Sequence, residues 1–319
     1  MAEVAYIGGY TPDTGGSAVG IAAVELGSLA RLGDTPAFGP SFLAAHPRLP
    51  VLYAVGETRR GTVGTFARGA GAPVPLAQRP SGGSFPRHLA VDPAGGLLAV
   101  ANYGDGTVTL HRLDASGLPA AEVWTFPHRA GSHAHQAVFG PDGVLYVPDP
   151  GAGEIRRYLT GKDGEDGKGV RPHPEGPVRL APGVGPRRVA RHADHWYVLG
   201  GLDGTVRVYD DGWRELRAVA TGAGEGNRPS HLEVSGGLVY VANRGPGTIS
   251  VFSPVTLEPV AEVACGGCRP RHFAVADGRM YVANQRSCGV AVLELEGGVP
   301  RPGAAGLAIG TPSCVLLLP

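Results

Sequence analysis

The sequence predicts an all-β, seven-bladed propeller, with four-stranded antiparallel blades, as a single domain over residues 1–319. Three observations predict it. A short apolar phrase with strand spacing recurs seven times: "AYIGGY" (5–10), "LYAVGE" (52–57), "LAVANY" (98–103), "LYVPDP" (145–150), "WYVLGG" (196–201), "VYVANR" (239–244) and "MYVANQ" (280–285). A second phrase precedes each of the later copies and recurs in steps of 41 to 52 residues, the length of one propeller blade. Finally, 52 Gly and 29 Pro make up about a quarter of the chain, which punctuates it into many short strands.

Each blade can be read in order. The second phrase is strand A, the innermost: "GPSFLAAHP" (39–47), "FPRHLAVDP" (85–93), "HAHQAVFGP" (133–141), "GPRRVARH" (185–192), "RPSHLEV" (228–234), "RPRHFAV" (269–275) and "TPSCVLLL" (311–318). The first phrase is strand B. A turn and a third strand follow, as in "GTVTLH" (106–111) and "GTISVF" (247–252), and a fourth such as "AEVWTF" (121–126) closes the blade. The widest repeat contains "TGKDGEDGKGVRPHPEGP" (160–177), a solvated loop between strands C and D whose acidic spacing is not that of a calcium loop. The last strand A has no partners after it, and the first strand B has no strand A before it. The C-terminal strand is therefore expected to complete the N-terminal blade and close the ring.

Strands within a blade are antiparallel, so the start of strand A and the end of strand B lie at one end of the blade. Two columns thus converge on one mouth of the central channel. The first is Ser41, Arg87, His135, Arg187, Ser230, Arg271 and Ser313; the next position is Phe42, His88, Gln136, Arg188, His231, His272 and Cys314. Strand alternation predicts that only one of these faces the axis. The end of strand B supplies Tyr10, Glu57, Tyr103, Pro150, Gly201, Arg244 and Gln285, preceded by Asn102, Asp149, Asn243 and Asn284 among others. The recurring histidines His88, His231 and His272 fit a structural task, such as bonding the neighbouring blade's backbone. Several arginines near one axis repel unless an anion joins them, so the expected guest is an anionic small molecule, a carboxylate or a phosphate ester.

The phrases "FPRHLAVDPAGGLLAVANYGDGTV", "SHAHQAVFGPDGVLYVPDP" and "RPSHLEV", with the final "PSCVLLLP", resemble the seven-bladed β-propeller lactonase family. That family includes bacterial propeller 6-phosphogluconolactonases and carboxy-muconate lactonising enzymes, and the resemblance runs the whole chain. It implies catalytic residues from the "HAH", "GPRR" and "NR" motifs: His133, His135, Arg187 and Arg244 here. It also implies a glutamate ending strand B after "GPRR". This chain reads "YVLGGL" there, with Gly201 in that place, and Glu57 is the remaining carboxylate of the column.

Lactone hydrolysis needs an activated water, a donor for the oxyanion and a proton for the leaving alkoxide. His135 is the expected acid or base, with His133, Glu57, Arg187 and Arg244 as catalytic partners. Arg87, Arg271, Tyr103, Asn102, Asn243 and Gln285 are the expected substrate-binding residues. No nucleophile-elbow serine suggests an acyl-enzyme. Neither a metal nor another cofactor is expected: the His-x-His pair lacks a third ligand, and the surrounding arginines repel a cation. The reading is a lactonase acting on an anionic sugar lactone, most plausibly 6-phosphogluconolactone. The alternatives are a muconate-type cycloisomerase and a non-catalytic propeller that binds an anionic ligand or a protein.

A net charge of +0 gives no case for nucleic acid or a membrane surface as partner. No apolar run reaches the roughly 20 residues of a membrane span, and "MAEVAYIGGYT" lacks a signal-peptide pattern. A cytoplasmic monomer is expected. Cys265, Cys268 and Cys288, all from the last full repeat, are expected to cluster at one end as free thiols.

Overall fold

The computed structural model describes residues 4–161, 169–224 and 226–318. Among them, seven antiparallel sheets form the blades of a propeller. Blade 1 combines Pro312–Leu317 with Val4–Gly9, Gly20–Glu25 and Arg31–Pro36, in that order from the axis outward, so the two ends of the chain share one sheet. The closing register pairs Ile7 with Val315 and Tyr6 with Leu316.

Strand A of blades 2 to 7 is Leu43–Ala45, Pro86–Val91, Val138–Phe139, Pro186–His192, Pro229–Ser235 and Pro270–Ala276. In blade 4 the residues around His135 precede the strand, which begins only at Val138. Residues 162–168 of the long acidic loop lie outside the described residues; its flanks give two short strands, Arg171–Pro172 and Val178–Arg179, that both pair with Glu154–Leu159. Among the described residues no helix is long and apolar enough to cross a membrane.

Alternating apolar residues of strands B and C pack between blades. Seven buried clusters result, one at each interface of the ring. Tyr6, Leu52 and Cys314 sit between blades 1 and 2, and Tyr281, Ile7 and Val315 between blades 7 and 1. The ring is thus sealed by the same side-chain packing everywhere, including the interface the C-terminal strand completes.

Strand A departs from simple alternation. In blade 3, Pro86 pairs with Asn102 and His88 with Ala101, leaving Arg87 as the extra residue of a bulge. The same shift leaves out Arg187, Ser230, Arg271 and Ser313 in blades 5, 6, 7 and 1. A bulge re-aims a side chain. The expectation that only one column faces the channel is therefore corrected: both do, at two depths.

Candidate active site at the channel mouth

The third-position residues meet across the axis and plug it. The ring of Phe42 lies 4.0 Å from that of His88 and 5.5 Å from that of His272. His231 and His272 are 4.0 Å apart, and the Arg188 guanidinium stands 5.0 Å from the Phe42 ring. His88 and His272 perform the structural task read from the repeat. Their Nδ1 atoms accept the backbone N–H of Ala137 (3.3 Å) and Val315 (3.4 Å) on the next blade, and Gln136 Oε1 does the same for Val189 at 2.7 Å. Burial, reinforced by Arg188, pushes these imidazoles down, His272 to about 3, so they are neutral above mildly acidic pH.

Above the plug lies a cavity of about 640 Å³. Tyr10, Glu57, Arg87, Arg244, Arg271 and Gln285 line it, with Asp13, Arg59 and Arg269 at its edge. The bulge brings Arg87 and Arg271 here; the ends of strand B supply Tyr10, Glu57, Arg244 and Gln285. Arg87 Nε donates to Glu57 Oε1 at 2.9 Å. Its guanidinium carbon sits 3.7 Å from the centroid of Tyr103, which stacks on His133 at 4.5 Å and meets His135 edge-on at 5.6 Å. Arg271 donates to the Tyr10 hydroxyl at 2.6 Å, and Arg244 Nε to the Arg228 carbonyl at 2.7 Å. Among the described residues no carboxylate forms an ion pair with Arg187, Arg188, Arg244 or Arg271.

The electrostatics follow from that imbalance. Burial, then Arg271, Arg269 and Arg87, pulls Arg244 down to about 9. Arg187 lies deeper, only 8% exposed, with Nε on the Ser230 carbonyl. Burial comes first and the nearby Arg244, Arg271, Arg188 and Arg87 next in holding it well below the usual guanidinium range. Arginine does not give up its proton in proteins. The strain instead favours any anion that enters.

The sequence-predicted residues thus divide by depth. Glu57, Arg87, Arg244, Arg271 and Gln285 share the cavity wall, and the Gln285 Oε1 is buried without a partner. Arg187 and His135 lie beneath it, not on it. His135 is 3% exposed with both ring nitrogens unpartnered, and burial followed by Arg187, Arg188, Arg87 and Arg271 holds it well below the ordinary histidine range. His133 is tied to the fold. Its backbone N–H donates to Asp149 Oδ1 at 2.7 Å, and its Nδ1 lies 2.8 Å from the Tyr103 carbonyl. Tyr103 forms the layer between Arg87 and these histidines.

Asn102 and Asn243 are not brought to the cavity. Both are fully buried, with their amides used inside the blades: Asn102 accepts from Ser81 Oγ at 2.7 Å, and Asn243 donates to Ser250 Oγ at 2.8 Å. Tyr10 and Arg188 are members of the two columns whose cavity and axial roles the sequence did not single out. At Gly201 an added Cβ would stand 3.0 Å from Arg187 Cβ and 3.4 Å from its Cδ, so the arginine stem fills the space beside the missing glutamate. Among the described residues no three His, Cys, Asp or Glu side chains converge as metal ligands. All four cysteines are free, Cys268 and Cys288 exposed, Cys265 and Cys314 buried.

The profile of the lactonase, 7-bladed beta-propeller family matches residues 4–317. The chain belongs to this lactonase family. It is 27% identical to a 6-phosphogluconolactonase of Bacillus subtilis (strain 168) over 280 residues, covering 78% of this chain and 77% of that one. It is also 25% identical to a 6-phosphogluconolactonase of Formosa agariphila, where the match spans 66% of both chains. Among solved structures, a periplasmic gluconolactonase of Pseudomonas aeruginosa superposes with a TM-score of 0.89 at 23% identity, over 100% of this chain and 99% of that one. A protein from Lactobacillus plantarum does so at 0.87 and 22%, covering 100% of both. These superpositions show that the fold of this lactonase-family chain is shared over its full length.

Proposed function

We propose that the protein hydrolyses an anionic sugar lactone, 6-phosphogluconolactone being the best fit, in the cavity at the channel mouth. The observation that carries this is the set of guanidinia without carboxylate partners among the described residues, Arg244 and Arg271 on the wall with Arg187 beneath, around a space lined by Glu57 and Asp13. Such a cavity favours a phosphate ester, and guanidinia also stabilise the oxyanion of acyl transfer. The relatives named 6-phosphogluconolactonase support the same substrate class.

In the proposed reaction, Arg244 and Arg271 hold the substrate's anionic group and polarise the lactone carbonyl. Glu57, oriented by Arg87, takes a proton from water as the water oxygen attacks that carbonyl. The tetrahedral oxyanion rests on the guanidinia. As it collapses, the ring C–O bond breaks and the leaving oxygen takes the proton back from Glu57. The open-chain acid then releases its own proton to solvent.

His135 serves as a positioning residue: neutral, packed beneath the cavity and against Tyr103, it adds no further positive charge to the site. The base role thus moves from His135, where sequence places it, to Glu57, which lines the cavity.

The test is hydrolysis of 6-phosphoglucono-δ-lactone against glucono-δ-lactone, each corrected for the spontaneous rate. A large kcat/KM preference for the phosphorylated lactone is expected. Equal rates with both would remove the anion from the reading, and an inactive protein that still binds phosphosugars would favour the non-catalytic alternative that Gly201 raises.

A further inference from the structure

In three blades strand B ends in a polar residue that meets a side chain of strand C. In blade 3 Asn102 donates to Thr109 at 3.4 Å, and in blade 6 Asn243 donates to Ser250 at 2.8 Å. Blade 4 uses the ion pair of Asp149 with Arg156 at 3.1 Å. Blade 5 has Gly200, but Asp203 moves in and pairs with Arg207 at 2.6 Å. Blade 1 has Gly9 and Ala22 at these places, and the space there closes to about 10 Å³. Blade 2 alone among these has glycine at both places, Gly56 and Gly64, where Thr62 Oγ1 and the edge of the Phe66 ring take up only part of the room.

A cavity of about 450 Å³ remains there, between blades 1 and 2. That is within the range of small-molecule sites, roughly 300–1,000 Å³. Its lining includes Pro12, Pro36, Pro75 and Phe66, with the more exposed Leu76 and Phe38. Phe38 is 70% exposed and Leu76 48%, so the cleft is open to solvent on an apolar side. Asp13 is the one ionisable side chain of the lining.

We propose that this cleft is a binding site for a neutral, flat, apolar small molecule of about one or two aromatic rings. With the exposed Asp13 as its single ionisable group and no cation in the lining, the cleft suits a neutral guest, and the proline and aromatic residues of the lining argue for a flat one. The site is separate from the arginine cavity, although Asp13 borders both. The two also touch through backbone: Gly39 donates to Thr11 Oγ1 at 2.8 Å, and its carbonyl accepts the Glu57 N–H at 3.0 Å.

The experiment titrates the full chain with the neutral fluorophore N-phenyl-1-naphthylamine, with and without inorganic phosphate. Two variants accompany it. Gly64→Thr installs the residue blade 3 has; its Cβ would stand 2.7 Å from Phe66 Cε2, turning that ring into the cleft. Leu76→Gln makes the rim polar without touching the core, and keeps the test valid if Gly64→Thr fails to fold. The expected result is saturable one-to-one binding by the wild type, weakened at least tenfold in each folded variant and unaffected by phosphate. The proposal is overturned by no saturable binding, by equal binding in the variants, or by displacement with phosphate. It is also overturned if the protein self-associates in a way that Phe38→Ser abolishes while the probe does not bind, which would assign the cleft to a second copy.

Discussion

Arg87 lies over Tyr103, its guanidinium carbon 3.7 Å from the ring centroid, while its Nε donates to Glu57. One side chain therefore couples the single carboxylate of the mouth wall's strand-end column to the aromatic layer above His133 and His135. Cation–π stacking of this kind contributes about 1–2 kcal/mol when partly desolvated. Arg87→Lys keeps the charge but loses the planar fork and the stack. The variant is expected to lower kcat by about tenfold with a smaller change in KM, read by steady-state kinetics.

Among the described residues Arg244 has no carboxylate partner, and its Nε donates to the Arg228 carbonyl. Arg244→Met is expected to weaken inorganic phosphate binding by ten- to a hundredfold, the equivalent of about 1.5–3 kcal/mol for a charge-assisted hydrogen bond. Isothermal titration calorimetry reads it. An unchanged affinity would place the anion elsewhere.

Gly201→Glu would set a carboxylate beside the Arg187 stem, where an added Cβ already stands 3.0 Å from Arg187 Cβ. A fixed counter-charge competes with a mobile one. Phosphate is expected to bind severalfold more weakly to this variant than to the wild type, measured in the same titration.

Burial holds His88, His111, His135, His231 and His272 below the ordinary histidine range, His111 to about 4 and His272 to about 3. The unfolded chain binds those protons near pH 6.5, so in the window below it the unfolded state holds more protons than the folded one. Their contribution is complete above about pH 6.5 and is lost as pH falls toward the folded values, by up to about 1.4 kcal/mol per pH unit for each group. Urea unfolding at pH 7.5 and pH 5 is expected to show a much lower midpoint at the acid end. His272→Gln, which can accept the Val315 N–H as Gln136 accepts that of Val189, is expected to flatten the dependence by about one proton.

The fold is legible because a blade is a repeat. The proline column of strand A and the "YVAN" ends of strand B give seven units, and the unpaired "PSCVLLL" gives the closure. The two columns at the mouth are legible for the same reason. What the repeat does not carry is depth. The bulge at Arg87, Arg187 and Arg271 leaves no mark in residue type, and it lets two adjacent positions both reach the channel. Asn102 and Asn243 look like site residues because they end strand B beside it; only the packing shows that their amides bond the neighbouring loop and strand C. His135 shares a column with Arg87, yet a shorter side chain in a blade whose strand A starts late stays below the wall that a guanidinium reaches.

The most direct measurement follows hydrolysis of 6-phosphoglucono-δ-lactone by ³¹P NMR with the wild type and with Glu57→Gln, alongside phosphate binding to both. The expected result is rapid hydrolysis by the wild type, a hundred- to ten-thousandfold lower kcat for Glu57→Gln, and phosphate affinity equal or higher in the variant. A Glu57→Gln protein that hydrolyses the lactone as fast as the wild type would contradict the account.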